Sequence, residues 1–413
     1  MYRNERGRLW ALGAAVGIAA LAAPAAQAIV TVGTISTPTP NSRPTATAVA
    51  PNQTVWFTEE AANKLGYIDQ ASGFVHEFSW TAANVRPNAL AIDSSGQVWF
   101  TEAGADQIGM YNPAANYLVE YYWGDFGLGL SGIEVTADGN VWFTMFNRSE
   151  IGVLNPSQLT ISYYNWTSDF VGPLRIHKDG ANRLWFTENA ANRIGVLDPY
   201  FLYVYDFYMS GANSAPWGIA VDASQFVWFT DSLNGLFSQL DPISGNINDF
   251  LTIGGTSSAP RDIATTTNPS GQTVVVWAES GGPGNIGVLN ADTGSKMGVE
   301  LSPSAQATGV AIDAQENAWF TETGLSEVGG FSLPSTSIAR RLRLQGPGAA
   351  RSPAVDSAAG FHLVLTQNNG KGQGKGKFRS RQANKVKKDA KHESRQVLQV
   401  KRYQPTKVSK KYR

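Results

Sequence analysis

The chain has 413 residues, enough to bury a sizeable core, and its 33 Lys and Arg balance 33 Asp and Glu. It has no cysteine and only four histidines (His76, His177, His362 and His392), which excludes disulfides, thiolate chemistry and any site needing many imidazoles. The zero net charge conceals a split: residues 371–413 carry 16 basic and two acidic side chains, leaving 17 basic and 31 acidic in the remainder.

Residues 1–28 read as an export signal. Arg3, Arg6 and Arg8 precede a run of small and apolar residues from Leu9 to Ala25, and Ala26-Gln27-Ala28 has the form of a cleavage site. Cleavage there would start the mature protein near Ile29, secreted or periplasmic, with association to the cell surface as an option. A single N-terminal anchor is the alternative. No second apolar run of spanning length follows.

Residues 29–369 are organised by one repeated phrase. Val-Trp-Phe-Thr-Glu at 55–59 returns at 98–102, 141–145, 184–188, 227–231 and 318–322, with a weaker copy at 276–280. Its tryptophans stand at 56, 99, 142, 185, 228, 277 and 319; four successive gaps are 43 residues and the others are 49 and 42. A period of this length holding several short strands is the signature of a β-propeller. One period divides into strands at 89–93, 98–102, 108–112 and 118–123, separated by turns such as Asp93-Ser94-Ser95-Gly96 and closed by Pro113. Turn formers recur in the second hairpin at Asn63, Asp106, Ser149, Asn192, Asn234, Gly284 and Ser326, and six copies have glycine three residues later; Phe237 breaks that rule.

In each phrase Trp and Thr point one way, Val and Phe the other. A strand apolar on both faces must be covered on both, as radially packed blades are, so the tryptophans are core. The carboxylates Glu59, Glu102, Glu188, Asp231 and Glu322 share one position. A ring of them suits an oxygen-ligated divalent metal, but recurrence in nearly every repeat argues that each serves its own blade. Closure is read by counting strands. With seven complete repeats, an orphan strand at 31–36 and further strands at 353–356, 362–367 and 377–380, the count favours eight blades closed by the N-terminal outer strand. Seven blades with an extension is the alternative.

The pattern W-F-T-E-x-x-x-N-x-I-G-x-[LI]-D-P, followed by P-x-x-[IL]-A, resembles the streptogramin (virginiamycin B) lyase family. Residues 191–199 (Ala-Asn-Arg-Ile-Gly-Val-Leu-Asp-Pro) and 38–44 (Pro-Thr-Pro-Asn-Ser-Arg-Pro) are especially close, and the resemblance spans roughly residues 31–345. It implies a propeller closed by an outer N-terminal strand and, for members that open cyclic streptogramins, metal-assisted elimination. In those lyases histidines follow the proline before an innermost strand. The matching residues here are Thr45, Asn88, Ser131, Leu174, Trp217, Arg261 and Thr308, and none is histidine. Arg261 stays protonated and Trp217 has no basic nitrogen, so neither replaces a general base.

By fold analogy these positions surround one mouth of the central channel, where propeller ligands usually bind. Asn88, Ser131, Trp217, Arg261 and Asp262 would supply donors, an aromatic face and a charge pair to a ligand or protein partner; a plain polar rim is the alternative. The expectation is a monomeric binding scaffold without lyase turnover, no metal and no cofactor. An enzyme with rebuilt catalytic groups, a carbon–oxygen lyase or lactonase-like hydrolase using Mg²⁺ or Ca²⁺, is the rival. Residues 370–413 predict a basic disordered tail that attracts an anionic envelope polymer, lipid headgroups or nucleic acid, or folds back on the acidic body.

Overall fold

The structure, a computed structural model, describes residues 32–334 and 379–408 except positions 71, 80–83, 168, 210–212, 283, 383, 390, 397–398 and 404–405. Seven antiparallel sheets form a β-propeller. Blades 1 to 6 are the stretches 44–79, 87–122, 130–165, 173–208, 216–251 and 260–300, each running from innermost to outer strand. The innermost strands touch in an unbroken circle: Pro44–Val49, Pro87–Ile92, Leu130–Val135, Pro173–Lys178, Pro216–Val221, Pro260–Thr267 and Ala307–Ile312, which returns to the first.

The blade count is seven, not eight. The seventh repeat supplies three strands, Ala307–Ile312, Asn317–Glu322 and Glu327–Ser332, and Gly33–Ser36 pairs with the last of them as the fourth. The N-terminal strand therefore completes an unfinished blade instead of starting an extra one. The strands expected at 353–356 and 362–367 lie outside the described residues, as do residues 1–28. Residues 379–380 belong to a strand on blade 5.

The repeated phrase is a packing device. Phe57, Phe100, Phe143, Phe186, Phe229 and Phe320 are fully buried. A Cβ at Gly66, Gly109, Gly152, Gly195 or Gly329 would overlap the neighbouring phenylalanine ring, which is why the next strand carries glycine there. Six of the tryptophans form the second layer, and for five of them a polar group six residues upstream receives the indole N–H. Asp93, Asp179, Asp222 and Asp313 accept it at 3.1, 3.0, 2.8 and 2.9 Å, and Thr136 does so at 3.2 Å. The other carboxylate oxygen of each aspartate caps its own turn. Core and turn are thus fixed by the same side chain.

Two repeats were out of frame in the sequence. In blade 6 Trp277 pairs with Gly287 and overlies it, so it fills the phenylalanine slot; Val276 takes the tryptophan slot and Glu279 the carboxylate slot. In blade 5 Phe229 pairs with Ser238, so serine stands in the glycine slot, Phe237 breaks no rule, and Gly235 (φ 61°) is the left-handed turn residue instead of Asn234.

The expectation of a disordered tail fails for the described part. Arg379–Gln382, Asn384–Asp389, Lys391–Gln396, Gln399–Tyr403 and Thr406–Val408 add a fifth strand to blades 5, 4, 3, 2 and 1 in that order. The tail runs backwards around the rim as a belt. Outer strands expose unpaired amides and carbonyls, and a basic segment beside an acidic body can satisfy them.

Candidate functional site

The seven residues expected at the channel mouth occupy the second position of the seven innermost strands. A β-bulge follows each of them, seen as a register shift such as that between Pro44 and Thr47. The threonine of the repeated phrase holds it. Thr187 Oγ1 accepts the Arg175 amide at 3.1 Å and donates to the Trp217 carbonyl of the next blade at 2.9 Å. Thr58, Thr101, Thr144, Thr230 and Thr321 repeat both bonds. One hydroxyl per blade therefore fixes the mouth and joins neighbours; blade 6 has Ala278 in that slot.

Beneath the mouth the wall is built from two layers. The first is Ala46, Ala89, Gly132, Arg175, Gly218, Asp262 and Gly309; the second is Ala48, Ala91, Glu134, His177, Ala220, Ala264 and Ala311. A Cβ at Gly132, Gly218 or Gly309 would press on the backbone of the next blade's inner strand, which explains the small residues. A long side chain at such a position can leave only into the channel. The charges of Arg175 on blade 4 and Asp262 on blade 6 influence one another, with Gly218 of blade 5 between them in the layer.

Burial lowers the Arg175 pKa while the charge of Asp262 opposes the shift. Asp262 is raised by burial, against the pull of Arg175 and of the amides of Val310 and Ile263, which donate to it at 3.2 and 3.0 Å. Arg261 lies over the Trp217 ring, 3.9 Å from its centroid, and its Nε donates to Ser280 Oγ at 2.9 Å. Burial and then the charge of Arg175 lower the Arg261 pKa. Both guanidiniums stay cationic at neutral pH. Ser131 is buried and receives Arg175 Nη1 at 3.4 Å. Asn88 sits on the opposite side of the ring, its carbonyl taken by Thr58. Around blades 7 and 1 the mouth is hydroxyl-rich, with Thr308 bonded to Thr321, Thr323 and the Thr45 carbonyl.

Sequence reasoning missed the second layer. His177 Nδ1 is 3.3 Å from Glu134 Oε2, and Lys178 Nζ is 2.6 Å from Oε1. Burial would raise Glu134, but the hydrogen bond and charge of His177, followed by Lys178, outweigh it and hold the carboxyl at about 2. The signal was present in the repeats: Arg175, Glu134, His177 and Asp262 stand where the other copies have only alanine or glycine.

The carboxylates of the repeated phrase do not face this site. They are buried within their blades, as with Glu279, which accepts Ile253 N, Gly254 N, Trp277 Nε1 and Asn285 Nδ2. Among the described residues no group of three His, Asp or Glu is placed to hold a metal ion. Asp262 is the sole acid among the mouth residues and first layer; two backbone amides already donate to it, and the charge of Arg175 acts on it. These residues do not fit the metal that the lyase resemblance implies.

The sequence profile of the virginiamycin B lyase family matches residues 19–124 and 116–339. A solved streptogramin B lyase is 25% identical with a TM-score of 0.67, covering 74% of this chain and 98% of its own. Virginiamycin B lyase from Staphylococcus aureus is 24% identical with a TM-score of 0.67, covering 74% of this chain and 100% of its own. A catalytically inactive form of that enzyme, solved with quinupristin, is 25% identical with a TM-score of 0.66 and the same coverage. No curated protein matches the chain.

Proposed function

This chain belongs to the virginiamycin B lyase family, and from that footing we propose that it is an exported propeller that binds an anionic ligand at its channel mouth without lyase turnover. The observation that carries the reading is the group Arg261, Trp217 and Arg175: a guanidinium stacked on an indole, with a second guanidinium beside it. Two cations beside a single first-layer acid, Asp262, favour a carboxylate, sulfate or phosphate, and the indole suits a planar or apolar portion of the same molecule. The histidine-free mouth ring supports the absence of turnover. Titration of the intrinsic fluorescence with aromatic carboxylates and sugar phosphates tests it: Arg261→Ala and Trp217→Ala should each weaken a response by about tenfold or more, a change of ~1.4 kcal/mol. A panel without any saturable response, or one indifferent to both variants, would refute it.

A second reading, an enzyme with rebuilt groups, is favoured by the His177–Glu134 pair, because a carboxylate that orients an imidazole is a common base arrangement. It would require a product that His177→Ala abolishes. We also propose that the mature chain is monomeric and lies outside the cytoplasm. The leader pattern of residues 1–28 supports export, and among the described residues no helix is long and apolar enough to cross a membrane. The belt's lysines would add salt-sensitive attraction to anionic polymers; Lys387 and Lys391 on the rim are exposed.

A further inference from the structure

On the face opposite the mouth, a groove of about 630 Å³ opens between blades 3 and 4. Its floor includes a small side chain at the end of the blade 3 tryptophan row. In each blade the tryptophan row continues across the third strand to the fourth, ending on His76, Val119, Tyr205, Asn248 and Met297 in blades 1, 2, 4, 5 and 6, and on Gly33 in blade 7. In blade 3 the row is Trp142, Val153 and Ser162, and the space a larger residue would fill is left open.

The groove's lining has a consistent chemistry. Amides come from Asn140, Asn155, Asn182 and Gln158, hydroxyls from Thr160 and Ser162, and aromatic surface from Trp142, Tyr164 and Tyr200. The described lining includes Asp138 and Asp198 but no Lys, Arg or His, so an anion is disfavoured. The Asn155 carbonyl oxygen is occupied by Ser157 and the Gln158 amide, which leaves its Nδ2 donors for a ligand. Asn140 is the reverse: its Nδ2 binds Asp138 and its oxygen can accept.

The rim is marked by an unusual turn. Its Tyr200 is 85% exposed and packs edge to face on Phe201, itself 65% exposed. The corresponding turns at 70–73, 113–116, 156–159, 242–245 and 291–294 contain no aromatic residue. Two large rings exposed on a tight turn beside a polar groove lack a folding purpose; as a platform for the C–H face of a sugar they have one.

We propose that this inter-blade groove is a binding site for a neutral saccharide, with Tyr200 stacking on a pyranose ring and the Asn and Gln amides reading its hydroxyls. Paired donors and acceptors without a cation suit a polyol, and the volume falls in the range of ordinary ligand pockets. The site is separate from the channel mouth and stands or falls without it.

Native gels cast with laminarin, mannan, xylan, dextran or galactomannan provide the test, read as retardation of the full-length protein. Ser162→Tyr copies the residue of blade 4 and fills the groove; Tyr200→Ala removes the platform on an exposed turn. Circular dichroism and tryptophan emission check that both variants stay folded. Retardation by at least one neutral polysaccharide, insensitive to high salt and weakened roughly tenfold by either variant, is the expected result. Retardation by none of them, or retardation that both folded variants retain, would overturn the proposal. So would retardation abolished by salt, which would assign the effect to the basic belt.

Discussion

The Nζ of Lys388 lies 2.7 Å from Oδ2 of Asp206, a side chain with no solvent exposure, and so anchors the C-terminal belt to the interior of blade 4. Asp206 is also 3.5 Å from Arg193 Nη1, and Arg193 Nε is 2.6 Å from Glu188. Two buried acids are thus matched by two cations, one from the blade and one from the tail. Lys388→Ala leaves Asp206 short of a counter-charge, and breaking a largely buried pair should cost about 1–3 kcal/mol. Chemical denaturation of the single variants and of Lys388→Ala/Asp206→Asn checks this. The double variant should recover part of the loss; equal stability of wild type and Lys388→Ala would contradict the anchoring.

Stability should fall as pH rises from about 5 to 8. Burial, then the charge of Glu327, pushes Glu322 up to about 8 from its ordinary 4.5. The folded protein therefore keeps a proton that the unfolded chain has released, and linkage makes stability decline through that window. Glu188 is raised to about 8 by burial and Asp206, but its ion pair with Arg193 opposes the shift, so Glu322 is the cleaner probe. Glu134, held at about 2, loses its contribution only in strong acid. Glu322→Gln should leave the thermal midpoint unchanged near pH 5 and raise it above pH 8. Identical pH profiles would contradict the assignment.

The threonine stitches give a paired prediction. Thr187→Ala removes the partner of the Arg175 amide and the donor to the Trp217 carbonyl, at a cost of about 1–3 kcal/mol. Ala278→Thr should have the opposite sign, because blade 6 lacks the hydroxyl that all six other blades use. Urea unfolding measures both. A destabilising Ala278→Thr would show that Trp277, displaced into the phenylalanine slot, has reshaped that interface.

Much of this fold was legible from spacing alone. Tryptophans at a period of 43 residues announced blades, and alternation of Val-Trp-Phe-Thr announced burial on both faces. Blade number was not legible, because residues 31–36 read the same whether they complete a blade or begin one; only the pairing of Gly33–Ser36 with Glu327–Ser332 decides. The frame slips at Trp277 and Phe237 arose from matching residue type where the slot is defined by the glycine or serine opposite. For the tail, charge complementarity supported only the alternative that it folds back on the acidic body; composition could not place its strands on five exposed edges. At the inner strands the sequence singled out the second position of each strand and, beneath it, Asp262 alone; Arg175, Glu134 and His177 went unread because alanine and glycine at the same positions drew no attention. Their very smallness made Arg175, Glu134 and His177 informative.

The channel charges should also be separable by function. His177→Ala releases Glu134 from its strongest partner and should raise that carboxyl from about 2 toward ordinary values, while ligand response at the mouth persists. Carboxyl titration by NMR and the fluorescence titration report the two effects separately. Loss of ligand response in this variant would place His177 within the binding site and favour the enzymatic reading.

The most direct test of the central claim is mass-spectrometric analysis of a cyclic streptogramin incubated with the purified mature protein and Mg²⁺. A mouth ring of Thr45, Asn88, Ser131, Leu174, Trp217, Arg261 and Thr308 predicts that the ring stays closed, with no linear product above the protein-free control. Linear product that forms with protein and disappears with Arg261→Ala or His177→Ala would contradict it.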